Sequence, residues 1–229
     1  MSMQVAERIK EVRSELPKGV TLCAVSKYHP IEAVKEAYDA GQRIFGESRE
    51  QEVRLKWETL PKDIEWHFIG HLQTNKVKYI APFVSLIQSV DSERLLDEIQ
   101  KQAAKIGRVI DVLLEVHIAQ EKSKSGFDPE ELIDLLSDVN IGQRWPNVNL
   151  KGIMAMATFT DDETQIRSEF RRLMSYYRQL LEGPLAQQGI TAEQFAIRSF
   201  GMSEDYKIAI DEGSNMVRIG SYIFGEREY

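Results

Sequence analysis

Residues 20–46 read VTLCAVSKYHPIEAVKEAYDAGQRIFG. A short β-rich run at 20–26 gives way, past Tyr28-His29-Pro30, to a helical pattern at 31–40. Gly41 then sits where a helix ends in a left-handed residue, and a second β-rich run follows at 43–46. This is one strand–helix unit, and its repetition along a chain predicts a parallel sheet.

Working outward, the unit recurs. Strands are predicted at 20–26, 43–46, 66–70, 84–90, 109–118, 150–155, 195–199 and 216–220. Helices are predicted between them at 31–40, 50–59, 74–80, 92–106, 129–139, 163–181 and 205–212, with one more at 4–16 before the first strand. Gly107 and Gly213 occupy the same helix-ending position as Gly41. Asp91 and Asp128 are expected N-caps, the second with Pro129 at the first helical position. Leu95, Leu96, Ile99, Ala103 and Ile106 recur at helical spacing and are expected to lay one apolar stripe on the sheet. Eight parallel strands in 229 residues close most naturally into a single α/β, (β/α)8 TIM-type barrel domain over 1–229 with an extra N-terminal helix. The competing architecture is an open doubly wound sheet. It fits less well because the turn at 26–31 has no G-x-G-x-x-G loop.

Composition narrows the function classes. With 29 basic against 36 acidic residues the net charge is −7, which argues against a surface for nucleic acid or anionic membrane spread over the molecule. Residues 1–18 carry charges throughout and lack an apolar h-region, and no later stretch is apolar for the ~18 residues a membrane span needs. The expectation is a soluble, unexported, cytoplasmic protein. The lone Cys23 lies in an apolar run and reads as a buried, inert thiol in a reducing compartment.

In such barrels the site lies at the C-terminal ends of the strands. Lys27 ends the first strand. At the edge of apolar packing, desolvation and nearby cations disfavour an ammonium and favour the imine-forming amine; a solvated strand-end lysine is the bland alternative. Strands seven and eight are where many barrels hold a phosphate. Ser203 can cap the next helix or offer its hydroxyl to an anion, and Gly220-Ser221, leading into a short segment at 222–226, lets backbone amides approach one. Barrel closure places this cradle beside strand one. Arg218 shares a strand face with Gly220, so it points inward and must meet either a lone pair, such as a ring nitrogen, or a carboxylate in an internal salt bridge.

Other chemistries do poorly. His67 and His71 are four apart, but on a strand that spacing spans about 13 Å and cannot chelate one metal ion. Cys23 has no evident base near it in sequence. The loop 122–126, KSKSG, is locally basic and reads as a second anion site or as a solvated turn.

The motifs together resemble one known family, the pyridoxal phosphate homeostasis proteins, relatives of the N-terminal barrel of bacterial alanine racemase. The resemblance covers essentially the whole chain, through Ala24-Val25-Ser26-Lys27, the segment HFIGHLQTNK at 67–76, SFGMS at 199–203, GSNMVRIGS at 213–221 and IFGER at 223–227. It implies a fold-type-III barrel carrying pyridoxal 5′-phosphate (PLP) as a Schiff base on Lys27, phosphate contacts around Ser203, Gly220 and Ser221, and Arg218 facing the pyridine nitrogen. Two positions depart from the family. Gly46-Glu47-Ser48-Arg49 stands where Gly-Glu-Asn-Tyr is common, so an asparagine contact to the cofactor passes to Ser48 or is lost. Asn215 replaces a usual threonine.

The resemblance also implies a PLP-holding protein without settled catalytic activity, with apo PLP-dependent enzymes as recipients. An arginine partner leaves the ring nitrogen largely unprotonated, which weakens the electron sink, although racemases tolerate it. Only 221–229 follow the eighth strand, so a second, β-rich domain is expected to be missing, and Lys27 is the one acid/base group that can be named. A weak amino-acid racemase and a cofactor-free Schiff-base aldolase are the alternatives, and a monomer is expected.

Overall fold

In the computed structural model, which describes residues 4–120 and 125–225, eight strands follow one another round a closed barrel in chain order. They are β1 (Thr21–Val25), β2 (Ile44–Glu47), β3 (Glu65–Phe68), β4 (Leu86–Val90), β5 (Ile110–Glu115), β6 (Val148–Met154), β7 (Ile197–Met202) and β8 (Met216–Ile219). Every neighbouring pair is parallel, and β8 pairs with β1, which rules out the open sheet.

Among the described residues the α-helices are α1 (Val5–Glu15), α2 (Ile31–Asp39), α3 (Glu50–Thr59), α4 (Val77–Ile80), α5 (Glu93–Lys105), α6 (Pro129–Asp138), α7 (Ile141–Arg144), α8 (Glu163–Leu180), which runs on into a π-helical turn at Leu181–Leu185, α9 (Tyr206–Asp211) and α10 (Ser221–Phe224). Their apolar faces meet the outer wall of the barrel, where Phe45, Trp66, Phe68, Phe170 and Phe200 are buried. Burying each such ring stabilises the fold by roughly 1.5–3 kcal/mol.

Several boundaries differ from the sequence reading. The strand expected at 109–118 leaves the sheet after Glu115, because Phe127 folds back to bond the Glu115 carbonyl and Val116 bridges to Phe127. The strand expected at 195–199 begins two residues later, since Phe195 closes a turn onto the Thr191 carbonyl. The helix expected at 74–80 divides into a tight 3-10 turn, Thr74–Lys76, and α4. Gly41, Gly107 and Gly213 have the expected positive φ of 95°, 65° and 107°. Asp128 caps α6, accepting from the amides of Glu130 and Glu131 at 3.0 and 3.4 Å. Asp91 is not a cap: Ser92 holds the N-cap position of α5, and the Asp91 carboxylate faces His71 Nδ1 at 3.1 Å. Ile106 leaves the apolar stripe and is 45% exposed, because α5 ends at Lys105. Leu95, Leu96, Ile99 and Ala103 are buried as expected.

Where β5 and β6 pair, the register slips, and Gly152 at the slip has φ 153°. A Cβ built there would lie 1.8 Å from the Ile197 carbonyl oxygen of β7. Only a residue without a side chain lets the two backbones approach this closely.

Inside the barrel a separate small apolar layer is made by Leu86, Leu113, Met154 and Met216. Above it runs a polar chain. Arg218 donates to Ser199 Oγ at 2.8 Å, Ser199 Oγ lies 2.6 Å from Gln88 Oε1, and Gln88 Nε2 lies 2.9 Å from His67 Nδ1. Ser199 Oγ accepts from the arginine and donates to Gln88 Oε1, which turns the amide NH2 to His67, so Nδ1 must accept. His67 is therefore the neutral tautomer with its proton on Nε2, and burial pushes its pKa down to about 3.

Two tests follow from this architecture. Gly152→Ala is expected to lower unfolding stability by about 2–3 kcal/mol in urea titration, because the added methyl overlaps a carbonyl in the adjoining strand; a loss below 0.5 kcal/mol, roughly the scatter of neutral surface changes, contradicts the packing. His67 is neutral when folded down to about pH 3 but titrates near 6.5 when unfolded. Its contribution is therefore complete above pH 6.5 and is lost as pH falls towards 3. The His67 ring resonances are expected not to titrate between pH 8 and about 5 in NMR; a midpoint near 6 removes the basis of the claim.

Candidate functional site at the C-terminal rim

The seam that closes the barrel builds the site. Cys23 pairs with Arg218 and Ala24 with Ile219, so the ends of β1 and β8 stand side by side. Contact continues above the sheet, where a Cβ on Gly220 would lie 3.0 Å from the Val25 carbonyl and 3.1 Å from the Val25 Cβ. A glycine at this point lets the start of α10 sit directly against the strand that leads into Lys27.

Ser203, arriving from β7, offers its Oγ to the Gly220 amide at 3.3 Å. It does not cap the following helix, whose N-cap residue is Asp205, so the ordinary-cap reading of Ser203 falls away. Ser221 opens α10, whose first amides have no acceptor within the helix. The far end of α10 reaches back over the β1–α2 turn, where Phe224 stacks on His29 with ring centres 5.2 Å apart. Lys27, half-buried, lies two residues beyond Val25 in this turn. Ser203, Gly220, Ser221 and the Lys27 turn thus form one stretch of rim.

Arg218 lies just below and is 4% exposed. Its two terminal nitrogens are committed to β6 and β7: one donates to the Ser199 carbonyl at 2.7 Å and to Ser199 Oγ, the other to the Ala155 carbonyl at 2.9 Å. Among the described residues it forms no ion pair, which removes the internal salt bridge expected as the alternative, and its Nε–H makes no hydrogen bond. Burial pulls its pKa below the usual arginine value. Cys23, its neighbour across the seam, is fully buried and pushed up to about 12 by burial, an inert thiol as expected.

Ser48 follows β2 on the other side of β1. Its Oγ is buried with no hydrogen-bond partner among the described residues, and the residue packs so closely on Gly70 that a Cβ there would come within 2.7 Å of Ser48. Across the mouth, burial raises the carboxyl of Glu115, which accepts from Ser125 Oγ at 2.6 Å, and that of Asp205, which accepts from the Met202 amide at 2.6 Å. His67 faces the interior while His71 is exposed, so they share no ion, and no cluster of three or more metal-ligating side chains occurs among the described residues. The basic positions 122–124 of the expected second anion loop lie outside the described residues.

Sequence reasoning missed the residues that act through others: the Gln88–Ser199 link to Arg218, and a buried group behind the Lys27 turn made of Glu47, Glu52 and Lys56. Glu52 and Lys56 are four apart on α3, a legible pair. That Lys56 would also reach Glu47 and Ser26 is a long-range fact.

Residues 2–228 match the family described as alanine racemase, N-terminal domain. A relative from Aquifex aeolicus named pyridoxal phosphate homeostasis protein is 40% identical over 230 residues, covering 99% of this chain and 96% of the relative. One of the same name from Schizosaccharomyces pombe is 36% identical, covering 92% and 85%. The solved structure of PipY from Synechococcus elongatus PCC7942 with PLP bound superposes with a TM-score of 0.86 at 34% identity, over 97% of this chain and 100% of that one. Alanine racemase from Clostridium difficile shares the fold at a TM-score of 0.74 and 16% identity, over 57% of its length. By the family model over nearly its whole length and by these relatives, the chain belongs to the alanine racemase N-terminal domain family.

Proposed function

We propose that this protein binds PLP at the rim described above, with the Lys27 amine as its covalent anchor, and serves PLP homeostasis by holding the cofactor and releasing it to others. The observation that carries the reading is the seam between β1 and β8, which sets the Lys27 turn against Gly220 and Ser203 with a buried arginine beneath them. The names of the Aquifex and Schizosaccharomyces relatives and the PLP in the PipY structure support it.

The residues fit the group. Arg218 has two donors left over after its bonds to Ser199 and Ala155, Nε–H among them, and a pyridine nitrogen is an acceptor without a proton of its own. Ser203 Oγ–H and the Ser221 amide supply donors to phosphate oxygens, and Gly220, whose own amide is held by Ser203 Oγ, leaves room for the phosphate to approach. The orphaned Ser48 Oγ is a small polar group in the loop where the family commonly has asparagine. When bound, PLP supplies an electrophilic aldehyde carbon and an aromatic ring that can delocalise electrons. Lys27 holds the aldehyde end and the Ser203–Ser221 cradle the phosphate end. Arg218 keeps the ring nitrogen from acquiring a proton, because its guanidinium does not give one up.

On this reading the chain is one barrel domain over residues 1–229, acting in the cytoplasm as a monomer that hands PLP to apo-forms of PLP-dependent enzymes. No helix among the described residues is long and apolar enough to cross a membrane. Nothing among the described residues favours the racemase alternative, since the likeness to racemase carries architecture alone. Cofactor transfer to an apoenzyme, measured with and without a membrane that separates the two proteins, tests delivery; equal rates in both arrangements identify passive release.

Lys27→Ala is expected to abolish borohydride-fixed attachment while shifting unfolding stability by less than about 1 kcal/mol, because a rim side chain leaves no core cavity. Cofactor fixed to another residue overturns the assignment. Arg218→Glu orphans the Ala155 carbonyl, while that of Ser199 keeps the Ala155 amide, so it is expected to cost about 1–3 kcal/mol for the buried acceptor left unpaired. It is also expected to shift the absorbance of bound PLP. An unchanged spectrum places Arg218 away from the ring.

A further inference from the structure

Among the described residues one non-glycine has a positive φ, Tyr28 at 67°, and it directly follows Lys27. A bulky side chain is strained in the left-handed region, and such strain persists only where the surroundings over-determine it. Here a carboxylate does so. Glu52 Oε1, from α3, accepts the Tyr28 amide at 2.7 Å.

Glu52 is itself fixed by Lys56, one turn further along α3, whose Nζ lies 2.7 Å from the same oxygen. The Lys56 side chain is 3% exposed, and its three protons have three acceptors: Glu52 Oε1, Glu47 Oε1 at 2.7 Å and the Ser26 carbonyl at 2.8 Å. Ser26 Oγ closes the group onto Glu47 Oε1 at 2.6 Å. One buried ammonium therefore holds both neighbours of Lys27, Ser26 directly and Tyr28 through Glu52. From the outside, the Arg49 guanidinium lies 4.7 Å from the centre of the Tyr28 ring. Buried ion pairs are often no more stabilising than apolar side chains of the same size, so this one has to be explained by the position it imposes.

We propose that Glu52, anchored by Lys56, is a positioning residue that imposes the left-handed turn at Tyr28 and thereby aims the Lys27 amine into the rim. The inference rests on Lys27 being the PLP anchor. It makes the backbone conformation at residue 28, rather than the tyrosine ring, the quantity that governs attachment. Residues that tolerate a left-handed φ are then acceptable at 28, and β-branched residues are not.

The test has two arms on the full-length protein. In cofactor-free protein, NMR is expected to show a strong intraresidue HN–Hα cross-peak for Tyr28, the mark of positive φ, and to lose it in Glu52→Ala but not in Glu52→Gln, which keeps the acceptor. In the second arm, PLP attachment is read from absorbance and from borohydride-fixed label on Lys27. Glu52→Ala and Tyr28→Val are each expected to weaken attachment about tenfold, while Tyr28→Asn and Tyr28→Gly stay within about threefold of wild type. Adding Tyr28→Gly to Glu52→Ala is expected to restore most of the loss, because glycine adopts the turn without help. Attachment in Tyr28→Val equal to that in Tyr28→Asn overturns the proposal, and so does a double variant no better than Glu52→Ala. If wild-type protein attaches no PLP at Lys27, the cofactor reading fails, and the cross-peak still decides whether Glu52 sets the turn.

Discussion

Closure of the sheet is the constraint on which everything else depends. A strand at the edge of an open sheet would leave a row of unpaired amides and carbonyls, and pairing β8 with β1 removes both edges at once. That one seam brings residues near 25 into contact with residues near 220. The Lys27 turn, the Ser203–Gly220 cradle and the start of α10 meet there because the barrel cannot close without bringing them together. Stacking of His29 on Phe224 carries the contact above the sheet.

The barrel interior sets the electrical character of the site. Its lower layer is apolar, made of Leu86, Leu113, Met154 and Met216, and the layer above carries the arginine and its relay of hydrogen bonds. With Gln88 Oε1 turned to Ser199 and its NH2 to His67, the chain from Arg218 to His67 runs in one direction. Burial then keeps His67 neutral, and Arg218 stands as the cation of that layer. Holding its terminal nitrogens on the carbonyls of Ala155 and Ser199 fixes the guanidinium plane. Its inward position thus belongs to the architecture of strands six to eight, whatever is bound above it.

Behind the barrel wall a second buried cation appears. Lys56 and two glutamates lie between α3 and the ends of β1 and β2, and Glu47 is pushed up to about 7 by burial although Lys56 lies beside it. Burial outweighs the pull of the ammonium, the nearby Glu52 carboxylate adds to the rise, and one Glu47 oxygen has no partner among the described residues. Charge placed in this wall fastens the segments on either side of Lys27. The rim is therefore held from inside through Arg218 and from outside through α3, with the reactive lysine between them.

The order and kind of elements were legible from the sequence alone, because alternating β-rich and helical runs, glycines after helices and the Asp128-Pro129 cap are local features written in local residue types. So were Lys27, Ser203, Arg218, Gly220 and Ser221 as candidates, through strand ends and through motifs shared with a family. Where local signals competed, the sequence misled: Asp91 reads as a cap until His71 is seen to face its carboxylate, and Ile106 belongs to the stripe until the helix stops one residue short of it. Tertiary structure alone decided which distant side chains meet. Lys56 reaching Ser26, Gln88 turning its amide to His67 and Glu52 bending Tyr28 into the left-handed region join residues 21 to 30 positions apart. Such contacts depend on barrel closure and helix packing, and no local pattern of residue types encodes the distance across a fold.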